Sequence, residues 1–315
     1  MSTGKNRPSE IIDGHCHLAS NRCIPDAFFR GVAENMVMRM QIENVPADTV
    51  KVTAMLKGQY NDHQGDKLVA EMDAAGIGST VLLAPDFTYE FGSEYSIEQI
   101  IQQHFEAAER HPGRFHIFAG VDPRRGESAV QAFASLVSSS AVAGLKLYPP
   151  CGYSPSDKRL YPFYEICREH RLPVLLHTGP TSAALAFSFA AAGLIDQAAK
   201  DFPSVNFILA HAGASYVQDA IAQCMYRPNV YMDISGFPST LAAGGWRQHL
   251  RQLFSLNLNH KIIFGTDWPV FGSKSGLSKL TDELFADEGP LQGLPKKAIT
   301  QIMSGNIQRL LSVEQ

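Results

Sequence analysis

Short apolar runs recur along the chain, and each is followed by a segment whose apolar residues return every three to four positions. Eight runs stand out: Glu10 to His15, Ser79 to Ala84, Phe115 to Val121, Gly144 to Tyr148, Pro173 to His177, Val205 to His211, Val230 to Ile234 and Lys261 to Asp267. Several, such as VLLAP, PVLLH, NFILAH and KIIFGTD, are apolar throughout, as a strand buried on both faces of a parallel sheet must be. Helical periodicity is expected over Gly65 to Ala75, Ser96 to Arg110, Glu127 to Ser138, Lys158 to His170, Leu194 to Lys200, Ser215 to Met225, Trp246 to Ser255 and Lys296 to Leu311. Eight strand–helix units without a Ser- or Pro-rich linker predict an α/β protein, a (β/α)8 TIM barrel filling one domain over residues 1–315.

The spacing is uneven in one place. Between the first and second strands, Leu18 to Gly78 is nearly twice as long as the other connections, so residues 18–78 are read as an insertion. It leaves the carboxyl end of a strand, the barrel face on which βα loops build active sites, and is therefore expected to act as a lid. Phe28, Phe29, Met36, Met38, Met40 and Met55 give it a soft apolar group that either packs on a substrate or glues the insertion to the barrel.

Composition narrows the partners. With 45% apolar and 18% charged residues the chain has ample material for a core. A formal charge of −4 supplies no global basic field, so nucleic acid is not expected as a partner. The longest apolar stretch, Ala183 to Ile195, is interrupted by Ser188 and too short to span a bilayer, and the polar start lacks a signal-peptide core, so no membrane partner and a cytoplasmic location are expected. Five scattered cysteines with no C-x-x-C pair read as reduced thiols, Cys16 among them despite its place between two histidines.

The chemistry gathers at strand ends. The first strand closes on His15-Cys16-His17, whose two imidazoles leave an extended segment on the same side and can grip one metal ion. The fifth ends in His177, the sixth in His211 and the eighth in Asp267, all on one barrel face. Four imidazoles and a carboxylate make a nitrogen-and-oxygen site suited to zinc, manganese, iron or nickel, with positions left for water. On the fourth strand Lys146 stands between two leucines, so alternation turns it into the barrel if the leucines face helices. A buried ammonium needs a carboxylate partner such as Asp267, or conversion by carbon dioxide to a metal-bridging carbamate.

With these residues on the page, the chain resembles the amidohydrolase superfamily. The resemblance runs nearly end to end, through Ile12-Asp13-Gly14-His15-Cys16-His17, Gly144-Leu145-Lys146-Leu147-Tyr148-Pro149, His177-Thr178-Gly179, His211-Ala212-Gly213, Gly265-Thr266-Asp267-Trp268-Pro269 and Gly305-Asn306. Within the superfamily it is similar to the amidohydrolase-related branch, which includes decarboxylases of the aminocarboxymuconate-semialdehyde type. The resemblance implies that His15, His17, His177 and Asp267 bind a principal divalent metal, zinc first among the options. His211 is then either a free acid or base in a one-metal site, or a ligand of a second ion bridged by carbamylated Lys146.

Two reactions follow. The first is hydrolysis of an ester, lactone or amide bond of a small molecule, with Asp267 accepting the water proton and His211 assisting. The second is non-oxidative decarboxylation or hydration of an unsaturated or aromatic acid, which calls for an arginine from Arg22, Arg39 or Arg247. A TatD-like nuclease would carry an acidic residue where Lys146 stands, and a non-catalytic barrel would not keep every ligand position. Tyr148, Tyr153, Phe237, Trp246, Trp268 and Phe271 are candidates for an aromatic-lined pocket, with Arg39, Tyr148 and Trp268 the substrate contacts to test. The resemblance leaves a homo-oligomer open.

Overall fold

All eight apolar runs form strands. In the computed structural model, which describes residues 7–139, 142–213, 216–236, 245–270 and 276–311, they are β1 (Ile12–His17), β2 (Ser79–Ala84), β3 (Phe115–Gly120), β4 (Gly144–Leu147), β5 (Val174–Leu176), β6 (Phe207–Leu209), β7 (Val230–Asp233) and β8 (Ile262–Ile263). Each pairs in parallel with the next, giving one sheet ordered β1 to β8. The residues after β8 return to β1: Gly14 N donates to Phe264 O at 2.8 Å, Asp267 N to His15 O at 2.8 Å and His17 N to Trp268 O at 2.9 Å. This is a (β/α)8 TIM barrel, nearly closed in its ladder and completed at the seam by those bonds.

Alternation decides what fills it. Val81, Leu83, Phe118, Leu175, Ile208 and Ile263 meet inside, with Ile307 and Leu310 plugging the interior beside Ile12. Their neighbours Leu82, Leu145, Leu147, Val174 and Leu176 pack outward with the helices. Each such side chain, fully buried, contributes about 1.5–3 kcal/mol, which is why the strands read as continuous apolar runs.

The helices are α1 (Asp26–Ile42), α2 (Thr49–Gln59), α3 (Asp66–Ala75), α4 (Thr88–Phe91), α5 (Ile97–Arg110), α6 (Glu127–Ser138), α7 (Tyr161–Glu169), α8 (Asp196–Asp201), α9 (Val217–Tyr226), α10 (Gly245–Phe254), α11 (Gly276–Phe285), α12 (Lys296–Thr300) and α13 (Asn306–Leu311). The start of α5 is fixed by a reciprocal cap, in which Ser96 Oγ accepts from Gln99 N and Gln99 Oε1 from Ser96 N.

Several expectations need correction. The single helix expected over Lys296 to Leu311 is α12 and α13 joined by a π-helical turn, Gln301–Gly305. The helices expected from Lys158 and Leu194 open as 3-10 turns at Lys158–Leu160 and Ala192–Ile195. Helix α11 was not anticipated, although Leu277, Leu280, Thr281 and Leu284 give it a buried stripe and it packs against α3.

Between β1 and α3, α1 and α2 pack against each other as a helical hairpin, and residues of both line a cavity at the strand carboxyl ends. Gly31 lets α1 lie close to the segment after β5, since a Cβ there would meet Ser182 Oγ at 2.3 Å and Ala184 N at 2.7 Å. The apolar group expected to work together divides: Phe28, Phe29 and Met36 face the cavity described below, whereas Met38 and Met55 are half-exposed on the outer side. All five cysteines are buried free thiols. Among the described residues no helix is long and apolar enough to cross a membrane.

Candidate metal centre and its pocket

The site is assembled from strand ends that lie far apart in sequence. His15 and His17 leave β1 on the same side, their rings 5.3 Å apart. The Nε2 atoms of His15 and His17 stand 3.5 and 3.4 Å from Asp267 Oδ1. His211 Nε2 lies 3.3 Å from His177 Nδ1, and the rings of His15 and His211 are 4.7 Å apart. Two of these residues occupy the left-handed backbone region, His211 at φ 60° and Asp267 at φ 58°. Non-glycine residues hold that conformation at a cost of order 1–3 kcal/mol, and here it aims each side chain into the group.

One residue that the sequence reading overlooked holds the group together. Asp233, at the end of β7, is fully buried. Its Oδ2 accepts from His15 Nδ1 at 2.8 Å, and its Oδ1 accepts from His211 N at 2.8 Å, Ser235 N at 3.0 Å and Ser235 Oγ at 2.5 Å. Four donors, three on Oδ1 and one on Oδ2, fix the carboxylate, which suits Asp233 to orienting His15 and His211. The bond from His15 Nδ1 leaves the Nε2 lone pair facing Asp267. His211 Nδ1 donates to Ser235 O at 3.2 Å, and His177 Nε2 to Pro180 O at 3.0 Å, so their second nitrogens also turn inward as lone pairs. The signal for Asp233 was present, an aspartate closing a barrel strand like Asp267.

Asp13 plays a matching part behind the site, accepting from His15 N at 3.0 Å, Thr266 N at 2.9 Å and Thr266 Oγ1 at 2.6 Å, and so tying β1 to the strand-eight end. Burial lifts its carboxyl to about 7, against the pull of those donors. Gly265 permits the same junction, because a Cβ there would meet His15 Cβ at 2.8 Å and Ser235 Cβ at 3.0 Å.

The donors fit a divalent cation. His15 Nε2 is buried without a hydrogen-bond partner, and its spacing from Asp267 is long for a hydrogen bond. Donors each about 2.0–2.1 Å from a tetrahedral ion sit roughly 3.4 Å from one another, close to the spacings observed. Burial lowers the imidazolium pKa of His15 to about 4 despite Asp233, and lowers those of His17 and His177, so the rings are neutral and available as ligands. Burial pushes the Asp267 carboxyl up, but attraction to His211, His17 and His15 prevails and holds it at about 2.

Lys146 points into the barrel as alternation requires, and it is 1% exposed. Of the two alternatives open to it, the salt bridge to Asp267 is not formed among the described residues. Nζ has no hydrogen-bond partner and lies 5.8 Å from the centre of the Tyr148 ring. Burial depresses its pKa to about 8, with Asp233 and Asp267 pulling the other way. A buried, partnerless amine is what a carbamate-forming lysine requires.

A cavity of about 380 Å3 opens on the site, lined at one end by His17, His177, His211 and Asp267. Tyr148 lines it and stacks on His177 at 4.2 Å, its hydroxyl 2.9 Å from Thr181 Oγ1. Arg39 does not reach it: the guanidinium is exposed on α1 and pairs with Glu43 at 3.3 Å. Trp268 is 2% exposed and packs in the core, outside the lining, as does Trp246 on α10. Tyr153 is likewise buried away from the cavity, donating to Val121 O and accepting from Tyr148 N. Arg22 stacks over Tyr95 and Arg247 pairs with Glu283 at 2.9 Å, so neither lines the cavity. Phe237 and Phe271 lie outside the described residues.

Comparison with known proteins finds the same barrel in several solved structures. The fold is shared with an uncharacterized TIM-barrel protein from Bordetella bronchiseptica, 22% identical over 96% of this chain and 98% of that one, with a TM-score of 0.66. A probable 2-pyrone-4,6-dicarboxylic acid hydrolase from Acinetobacter baumannii is 16% identical over 96% and 99% of the two chains, with a TM-score of 0.62. A 2,6-dihydroxybenzoate decarboxylase from Rhizobium is 17% identical over 96% and 100%, with a TM-score of 0.63. At such identities the likeness speaks for the barrel alone. No curated protein matches the chain. The amidohydrolase family profile Amidohydro_2, however, matches residues 12–313, from the first residue of β1 to beyond the last helix, so the chain that carries this histidine and aspartate cluster belongs to the amidohydrolase family.

Proposed function

We propose that the protein is a metal-dependent hydrolase that cleaves an ester, lactone or amide bond of a small molecule. The observation that carries this reading is the Asp267 carboxylate, placed within 3.5 Å of both His15 Nε2 and His17 Nε2 at the floor of a cavity open to substrate. His15, His17, His177 and Asp267 would hold the principal ion, with Lys146 as its carbamate and His211 joining them if two ions bind. A bound divalent ion, zinc or alternatively manganese, iron or nickel, would polarise the scissile carbonyl and bring water toward a neutral pKa.

The chain's own groups then divide the proton work. Asp267, ionised well below neutral pH, accepts the proton that water loses as its oxygen bonds to the carbonyl carbon. That proton passes to the leaving oxygen or nitrogen as its bond to carbon breaks. His211 Nε2, on the cavity side of a ring fixed by Ser235, can hold or deliver a proton there. Tyr148 stacks on His177 and keeps that ring in place.

The competing reading is non-oxidative decarboxylation or hydration of an unsaturated or aromatic acid. It draws on fold likeness to a decarboxylase, while the arginines it called for point elsewhere. Turnover of a lactone, ester and amide panel by metal-loaded protein, lost on chelation and reduced at least 100-fold by His211→Ala, is the expected result. Carbon dioxide release from aromatic acids with no hydrolysis of the panel would replace this reading with the other.

A further inference from the structure

The cavity has two chemically distinct ends. Histidines and Asp267 form one, and the other runs beneath the α1–α2 hairpin, walled by Phe28, Phe29, Val32, Met36 and Leu56. Between them stands an aromatic collar: the ring centres of Phe28 and Phe87 are 4.9 Å apart, those of Phe87 and Tyr148 4.6 Å, and those of Phe28 and Tyr148 6.5 Å. A molecule at the histidine end can carry its remaining atoms past these rings into the apolar end.

Charge in that end would be unmatched. Among the described residues no lysine or arginine lines the cavity, and its one carboxylate, Asp267, belongs to the metal end. The hairpin does carry cations, but on its outer side: Arg30 pairs with Glu34 at 3.2 Å, Arg39 with Glu43 at 3.3 Å, and Lys57 with Asp26 at 2.5 Å. The polar groups of the wall are neutral ones: Tyr148 is taken by Thr181 and Ser182 Oγ by Phe28 O at 2.9 Å, while Gln59 and Tyr60 line it without bringing charge. Moving a carboxylate from water into such a wall without a cation costs several kcal/mol, whereas each buried methylene gains about 0.8 kcal/mol.

From this we infer that the substrate is uncharged beyond its reacting carbonyl: an ester, lactone or amide bearing an aryl or alkyl tail, seated under the hairpin between the collar and Met36. The inference rests on the hydrolase reading for its reacting group and on the cavity wall alone for its tail. Specificity resides in Phe28, Val32, Met36, Leu56 and Phe87, all but Phe87 supplied by residues 18–78.

The test uses two pairs of molecules on metal-loaded protein. Calorimetry compares 4-propylbenzohydroxamate with 4-(2-carboxyethyl)benzohydroxamate, which share a metal-binding head and differ in tail charge. Kinetics compare the phenyl esters of the two corresponding tails. The neutral hydroxamate is expected to bind at least ten-fold tighter, the neutral ester to have at least ten-fold higher kcat/KM, and Met36→Arg to shrink both ratios. Equal or tighter binding of the charged hydroxamate, or no binding of either, overturns the inference. Preferential binding of the neutral hydroxamate with no turnover of either ester keeps the tail assignment and removes the hydrolase reading. Faster turnover of the charged ester keeps hydrolysis and removes the tail assignment.

Discussion

At the level of single residues, the site depends on two buried groups with opposite provisions. Asp233 receives four hydrogen bonds, one of them from His15, whose ring it thereby orients. Asp233→Asn keeps the shape but cannot receive from all four donors, so metal affinity measured by chelator competition should fall about 10–100-fold. Lys146 Nζ has no hydrogen-bond partner among the described residues. In metal-free protein, with no carbamate to hold, Lys146→Met should be as stable as the parent or more so in a denaturant melt, because it removes a buried unpaired ammonium and keeps the volume. The same pair shows how far single residues could be read from the chain. Lys146 was conspicuous as a charge between leucines, and its inward direction followed from alternation. Its lack of a partner did not, since that depends on where Asp233 and Asp267 stand in space.

At the level of elements, the strand ends are positioned by close approaches. Gly265 sits where β8 gives way to the Asp267 turn, and its missing side chain leaves room for His15 and Ser235. Gly265→Ala should destabilise the fold by about 1–3 kcal/mol through overpacking and weaken metal binding together with it, both visible in thermal melts with and without metal. Helix α11 offers a separate check on the barrel wall: Leu280 is 4% exposed on its buried stripe. Leu280→Ala should cost about 2–5 kcal/mol without altering metal content. Among the helices overlooked in the sequence, α11 has a stripe that periodicity could have found, whereas α1 and α2 are only weakly amphipathic. Helix α1 in particular buries residues of small and large type on one side and leaves Met38 and Ile42 in solvent on the other, so its apolar content is not confined to a stripe.

Over the whole molecule, stability is linked to ligands and to pH. Added zinc should raise the melting temperature of chelator-treated protein, by about 2.7 kcal/mol of stability at a hundred times its dissociation constant. His104, a buried residue of the cavity wall with Nδ1 2.7 Å from Ile100 O, is held neutral by burial, which lowers its pKa to about 4. The unfolded chain binds a proton there near pH 6.5, so stability is complete above that value and declines as pH falls toward 4. His104→Gln should flatten this part of the pH dependence in denaturant melts. By itself the amino-acid sequence determined the barrel, because strands buried on both faces must be apolar throughout and must alternate with amphipathic helices. It also determined which histidines and which aspartate stand at the ends of those strands, since strand-end positions are local features of the chain. Only the tertiary structure decided what surrounds them: Asp233 under His15, Lys146 without a hydrogen-bond partner among the described residues, Arg39 facing solvent with Glu43, and the apolar wall that α1 and α2 lay beside His17, His177, His211 and Asp267. These are relations between segments distant in sequence, fixed by packing and by the direction in which each helix turns its faces, and no local pattern carries them.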